Sequence, residues 1–148
     1  MEVHEVTLPV TGTREGAASA RRQMMNEVRG WRCGFGNDEL HSAEAVAGEL
    51  LANAVQHTSG GGTSVTARLE GGWLRVEVRD QSAALPHVRR ARADAEDGRG
   101  LLIIAALADR YGVERNASGK SCWAEFDLTT SPVHASRTSS HQPPLRRS

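Results

Sequence analysis

The stretch Glu49-Leu50-Leu51-Ala52-Asn53-Ala54-Val55-Gln56-His57 decides how the rest of the chain is read. A glutamate, an asparagine and a histidine recur every fourth residue, so on a helix the three fall on roughly one face. Val46, Leu50, Leu51, Ala54 and Val55 fall mainly on the other flanks. An amphipathic surface helix fills its solvent face with Lys, Arg and Glu pairs; this one lines up a carboxylate, an amide oxygen and an imidazole. Such a stripe suits a magnesium–nucleotide site, because a hard cation takes oxygen ligands and keeps several of its waters. A solvated polar stripe produces the same pattern, so the flanking sequence has to decide.

Working outward, Val3, Val6 and Leu8 make a short strand pattern closed by Pro9. Ala17, Ala18, Met24, Met25, Val28 and Trp31 predict a helix from Arg14 to Trp31, with Gly30 near its end and Arg21-Arg22 on a solvated face. Asn37 is expected to cap the next helix, with Asp38 and Glu39 where the helix dipole favours acids. That helix runs to about His57, where Thr58-Ser59-Gly60-Gly61-Gly62 stops it. Thr63 to Leu69 and Trp73 to Val78 alternate apolar and polar residues across Glu70-Gly71-Gly72, which predicts a hairpin. Gln81 to Asp97 is polar and aperiodic, a loop or lid. Gly98-Arg99-Gly100 precedes the apolar helical run Leu101 to Ala108, and a last strand pair follows, Tyr111 to Arg115 and Cys122 to Leu128, across the turn from Asn116 to Lys120. Strand, two helices, hairpin, loop, helix and hairpin make a two-layer α/β sandwich with a mostly antiparallel sheet and helices on one face. Trp73 and Trp123, each inside a strand, are expected to anchor the core.

A chain of 148 residues holds one domain with a real core. Eighteen basic and eighteen acidic residues cancel, so no global field speaks for nucleic acid or an anionic membrane. Cys33 and Cys122 lack metal-site or CxxC spacing and read as reduced, small core or boundary residues. No signal pattern or membrane-length apolar run is present, so a cytoplasmic protein is expected. Residues 1–128 form the expected domain. Residues 129–148 are Ser, Thr, Pro, His and Arg without an acid, too poor in apolar groups to offset chain entropy, and are expected to be a disordered tail.

Three further features follow the Glu49–Asn53–His57 helix in order. Asp80 closes a strand, where a carboxylate accepts hydrogen bonds from an exocyclic amine. Gly98 and Gly100 open a helix, where backbone N–H groups and the helix dipole favour a phosphate. Gly119-Lys120-Ser121-Cys122-Trp123 combines a turn glycine with a final strand.

Taken together, these features resemble the motif set of the GHKL ATPase superfamily, and within it the stand-alone anti-sigma factor serine kinases. The resemblance runs from about Val3 to Leu128 and implies the Bergerat-type ATP-binding fold. It implies ATP and Mg2+ as cofactors, with Asn53 coordinating the magnesium, Asp80 binding the adenine amine and Gly98 and Gly100 shaping a lid over the phosphates. Glu49 would be the general base, and His57 would touch the phosphates or simply finish the helix. The implied partners are an antagonist protein carrying a phosphorylatable serine, a sigma factor and a second copy of the chain. One departure stands out: the superfamily's Asp-x-Gly-x-Gly is here Asp80-Gln81-Ser82-Ala83-Ala84, without either glycine. The rival reading is a nucleotide-responsive protein-binding module without kinase activity.

Overall fold

In the computed structural model, residues 3–31, 36–57, 62–80, 97–116 and 119–128 are described. Residues 58–61 of the glycine-rich helix stop (58–62), 81–96 of the expected lid (81–97), 117–118 of the last turn (116–120), Cys33 and the tail (129–148) lie outside the described residues. The elements run β1 (Val3–Pro9), α1 (Arg14–Gly30), α2 (Asn37–His57), β2 (Thr63–Glu70), β3 (Trp73–Asp80), α3 (Asp97–Leu107), β4 (Arg110–Asn116) and β5 (Gly119–Asp127). The strands form one antiparallel sheet in the order β1-β2-β3-β5-β4, so β5 inserts between β3 and β4. This is the expected α/β sandwich.

Register follows from the alternation. Val65, Ala67 and Leu69 of β2 stand opposite Val78, Val76 and Leu74 of β3, and Val76 and Leu74 stand opposite Ala124 and Phe126 of β5. All eight are buried, so one face of the sheet is apolar across three strands. Gly71 and Gly72 sit at φ 62° and 83°, the paired positive angles of a two-residue primed hairpin turn, which bulkier residues resist.

The helices cover that face. From α1, Met24, Met25 and Val28 are fully buried; from α2, Ala43, Val46, Ala47 and Leu51 are. Thr13 caps α1, its hydroxyl accepting from Gly16 N–H at 2.9 Å. At α2 the expected cap is corrected. Asn37 is already helical, and the Glu39 carboxylate reaches back to accept from Gly36 N–H at 2.6 Å. The acidic half of a capping box thus satisfies the N–H of the residue before the helix, a different donor from the first-turn N–H groups that an asparagine cap would serve. Glu44 of α2 ties the helices together, 3.0 Å from Arg29 and 3.8 Å from Arg21 on α1.

Trp73 and Trp123 are also corrected: neither anchors the core. They are half-buried on the sheet face away from the helices, sharing strand parity with Arg75, Glu77 and Glu125 rather than with Leu74, Val76 and Phe126. Each ring lies under a guanidinium, Arg75 at 4.4 Å from the Trp123 centroid and Arg110 at 4.3 Å from that of Trp73. Ion pairs knit the same face, Arg75 to Glu125 at 2.7 Å and to Glu77 at 3.4 Å. The Ser121 hydroxyl donates to Glu77. Alternation, not residue size, decided which way the indoles point.

Candidate functional site

The polar stripe of α2 survives folding as a half-buried feature. Leu50, Leu51 and Ala54 are buried, while Glu49 and Asn53, one turn apart, are partly covered rather than fully solvated. Helix α2 packs on β2, β3 and β5, and α3 packs on α2. The helix carrying Glu49 and Asn53 therefore neighbours both the strand that ends at Asp80 and the helix that holds Gly98 and Gly100. His57 is the last residue of α2.

At the end of the sheet, Asp80 is 3% exposed, an uncommon burial for a carboxylate at a strand terminus. Its direct partner on β2 is Thr63 and its partner on β5 is Lys120, so all three sit in one row on the helix-facing side. Thr63 is 7% exposed, and its hydroxyl oxygen is buried without a hydrogen-bond partner among the described residues. Nothing in the sequence flagged Thr63; only the strand register sets it beside Asp80. A buried acceptor next to a buried hydroxyl fits a ligand with a polar edge better than an apolar one.

A cleft of about 650 Å³ opens at this end, bringing Thr63, Asp80 and Lys120 together with Glu77, Arg79 and Ser121 of the outer face. Neither Glu49 nor Asn53 is among its lining residues. Of the expected site residues, the cleft contains Asp80, and α2 packs on the strand that carries it. On that outer side, burial pushes the Glu77 carboxyl up. The Ser121 hydroxyl and the charges of Arg75 and Arg79 outweigh it and hold the group below its ordinary range.

Gly98 and Gly100 lie in the first turn of α3, which begins at Asp97. The first four N–H groups of a helix have no intrahelical acceptor, so that turn offers donors to an anion. The donor set as a whole suits a metal–nucleotide: Asn53 offers an amide oxygen suited to a hard cation, and Asp80 with Thr63 offers a polar recess for a base. Five of the expected site residues (Glu49, Asn53, His57, Gly98 and Gly100) are on the packed pair α2–α3, and the sixth, Asp80, is on the strand beneath α2.

Comparison with known proteins identifies the domain. No curated protein matches the chain. A family model described as a histidine kinase-like ATPase domain matches residues 13–126, from the cap of α1 to the buried Phe126 of β5. The match covers most of the chain and every described element except β1, and the chain belongs to the histidine kinase-like ATPase domain family, with the GHKL-type fold that binds ATP.

Proposed function

We propose that this ATP-binding domain is a regulatory protein serine kinase that acts on an antagonist protein and sequesters a sigma factor. The observation that carries the reading is the pairing of Glu49 with Asn53 on one half-buried face of α2, a base one turn from a metal ligand. A module that only bound nucleotide would need the amide and not the carboxylate. When bound, Mg-ATP supplies the phosphoryl group that passes to a serine oxygen as ADP departs. Asn53 would hold the magnesium through its amide oxygen, and Asp80 would accept a hydrogen bond from the adenine amine. Backbone N–H groups at Gly98 and Gly100 would face the phosphates, with His57 at the end of the same helix as Asn53. Glu49 takes the proton from the incoming hydroxyl. With the reacting groups held in place, catalysis is mostly positioning and charge stabilisation.

The loss of both glycines after Asp80 favours a second reading, a nucleotide-responsive binding module without transfer. One experiment separates the two. The protein is mixed with small candidate antagonist proteins and saturating Mg-ATP, and co-elution and intact mass are both followed. The kinase reading expects one added phosphate on a single serine of the partner. Co-elution without added mass would replace it with the binding module.

A further inference from the structure

We infer that Thr63 is a second reader of the adenine base, its hydroxyl donating to the ring nitrogen beside the amine that Asp80 accepts from. The inference rests on the assignment of Asp80 to the base.

Three observations meet at this side chain. Thr63 opens β2 and Asp80 ends β3, and the two are direct antiparallel partners. Side chains so paired stand on one face with Cβ atoms about 4.5–5.5 Å apart. Both residues are more than nine-tenths buried. Finally, the Thr63 hydroxyl has no partner among the described residues, whereas the Thr7 hydroxyl pairs with Thr66 at 2.9 Å and the Ser121 hydroxyl with Glu77. A buried unpaired hydroxyl destabilises a fold, and valine fills the same volume without that penalty. A site kept polar at such a cost points to a ligand that completes it. The pair offers an acceptor beside a donor, and the edge of adenine offers an amine donor beside a ring-nitrogen acceptor.

The test uses the full chain, Thr63→Val and Thr63→Ser. Each is titrated calorimetrically with Mg-ATP and with 1-deaza-ATP, which lacks that ring nitrogen, and melted without nucleotide. Thr63→Val should bind ATP about 3- to 10-fold more weakly, and should melt no lower than the parent protein because it sheds an unpaired polar group. Thr63→Ser should bind ATP like the parent. On 1-deaza-ATP, Thr63→Val should lose nothing, since the same hydrogen bond is removed from the other side. Unchanged ATP affinity in Thr63→Val overturns the inference while leaving the Asp80 assignment intact. An equal loss on both nucleotides, or a lowered melting temperature, makes Thr63 structural instead. A parent protein that binds neither nucleotide overturns this inference and the proposed function together.

Discussion

Asp80 is buried to 3% at the very end of a strand, and an ionised carboxylate can only accept hydrogen bonds. It therefore suits an amine and opposes a carbonyl, so ATP should bind far more tightly than GTP. Asp80→Asn should weaken ATP by about 1–3 kcal/mol, the scale of a charge-assisted hydrogen bond. Calorimetry with both nucleotides checks this; equal affinities would remove the base from this recess. The two residues of α2 divide differently. Asn53→Ala removes the proposed metal ligand, so magnesium-dependent binding should fall. Glu49→Ala should leave ATP binding in place while transfer to a cognate partner drops by about 10²–10⁴-fold. Unchanged transfer in Glu49→Ala would end its role as base. Both residues were visible as candidates in the sequence because their four-residue spacing is local; Thr63 was not, because its neighbour Asp80 is seventeen positions away and reaches it only through strand pairing.

Among the elements, β3, β4 and β5 carry their own test on the outer face. A Cβ on Gly112 would lie 2.7 Å from Cζ2 of Trp123, so Gly112 is what lets the indole lie flat across β4 beneath Arg75. Gly112→Ala should displace the ring and destabilise the fold by roughly 1–3 kcal/mol, the usual range for overpacking. Urea unfolding measures it, and an unperturbed midpoint would mean that the ring rests elsewhere. Glu77 on the same face adds a pH dependence. Its folded pKa is lowered, so the unfolded chain binds the proton first. The contribution to stability is full above the ordinary glutamate range and disappears as pH falls through the lowered folded value. Glu77→Gln should therefore flatten the acid limb of a stability–pH profile, and a profile parallel to that of the parent would show that the carboxyl contributes nothing there. The alternation Trp73-Leu74-Arg75-Val76-Glu77-Val78 already contained the outward direction of Trp73, but the expectation that large aromatics fill cores overrode it. Helix α3 shows the converse. Its run from Leu101 to Leu107 is apolar nearly all round, yet Ile104 is buried while Leu102 is 69% exposed. Composition announced burial, and the packing of α3 along α2 used only one stripe.

For the molecule as a whole, the proposed site would draw on α2, α3 and the end of the sheet, which would couple binding to folding. A ligand that binds the folded chain alone stabilises it by about 2.7 kcal/mol at one hundred times its Kd. Mg-ATP should therefore raise the melting temperature by several degrees, and Asp80→Asn should remove most of that rise. A parent melting curve indifferent to Mg-ATP would show that these three elements do not close on the nucleotide. Among the described residues no helix is long and apolar enough to cross a membrane.

What the sequence determined by itself were the properties written in short-range spacing. The four-residue recurrence of Glu49 and Asn53, the alternation of β2 and β3, the paired glycines at 71 and 72 and the apolar stripe of α1 each act through neighbours a few positions away. All appear where expected. Tertiary structure alone decided what depends on distant partners: the insertion of β5 between β3 and β4, the Arg-covered indoles, and the row Thr63–Asp80–Lys120 drawn from three strands. The physical reason is that backbone periodicity fixes which face a side chain takes within its own element. Which other side chain it then meets is set by the order and register of strands, and those minimise the free energy of the whole packed sheet rather than of any one segment.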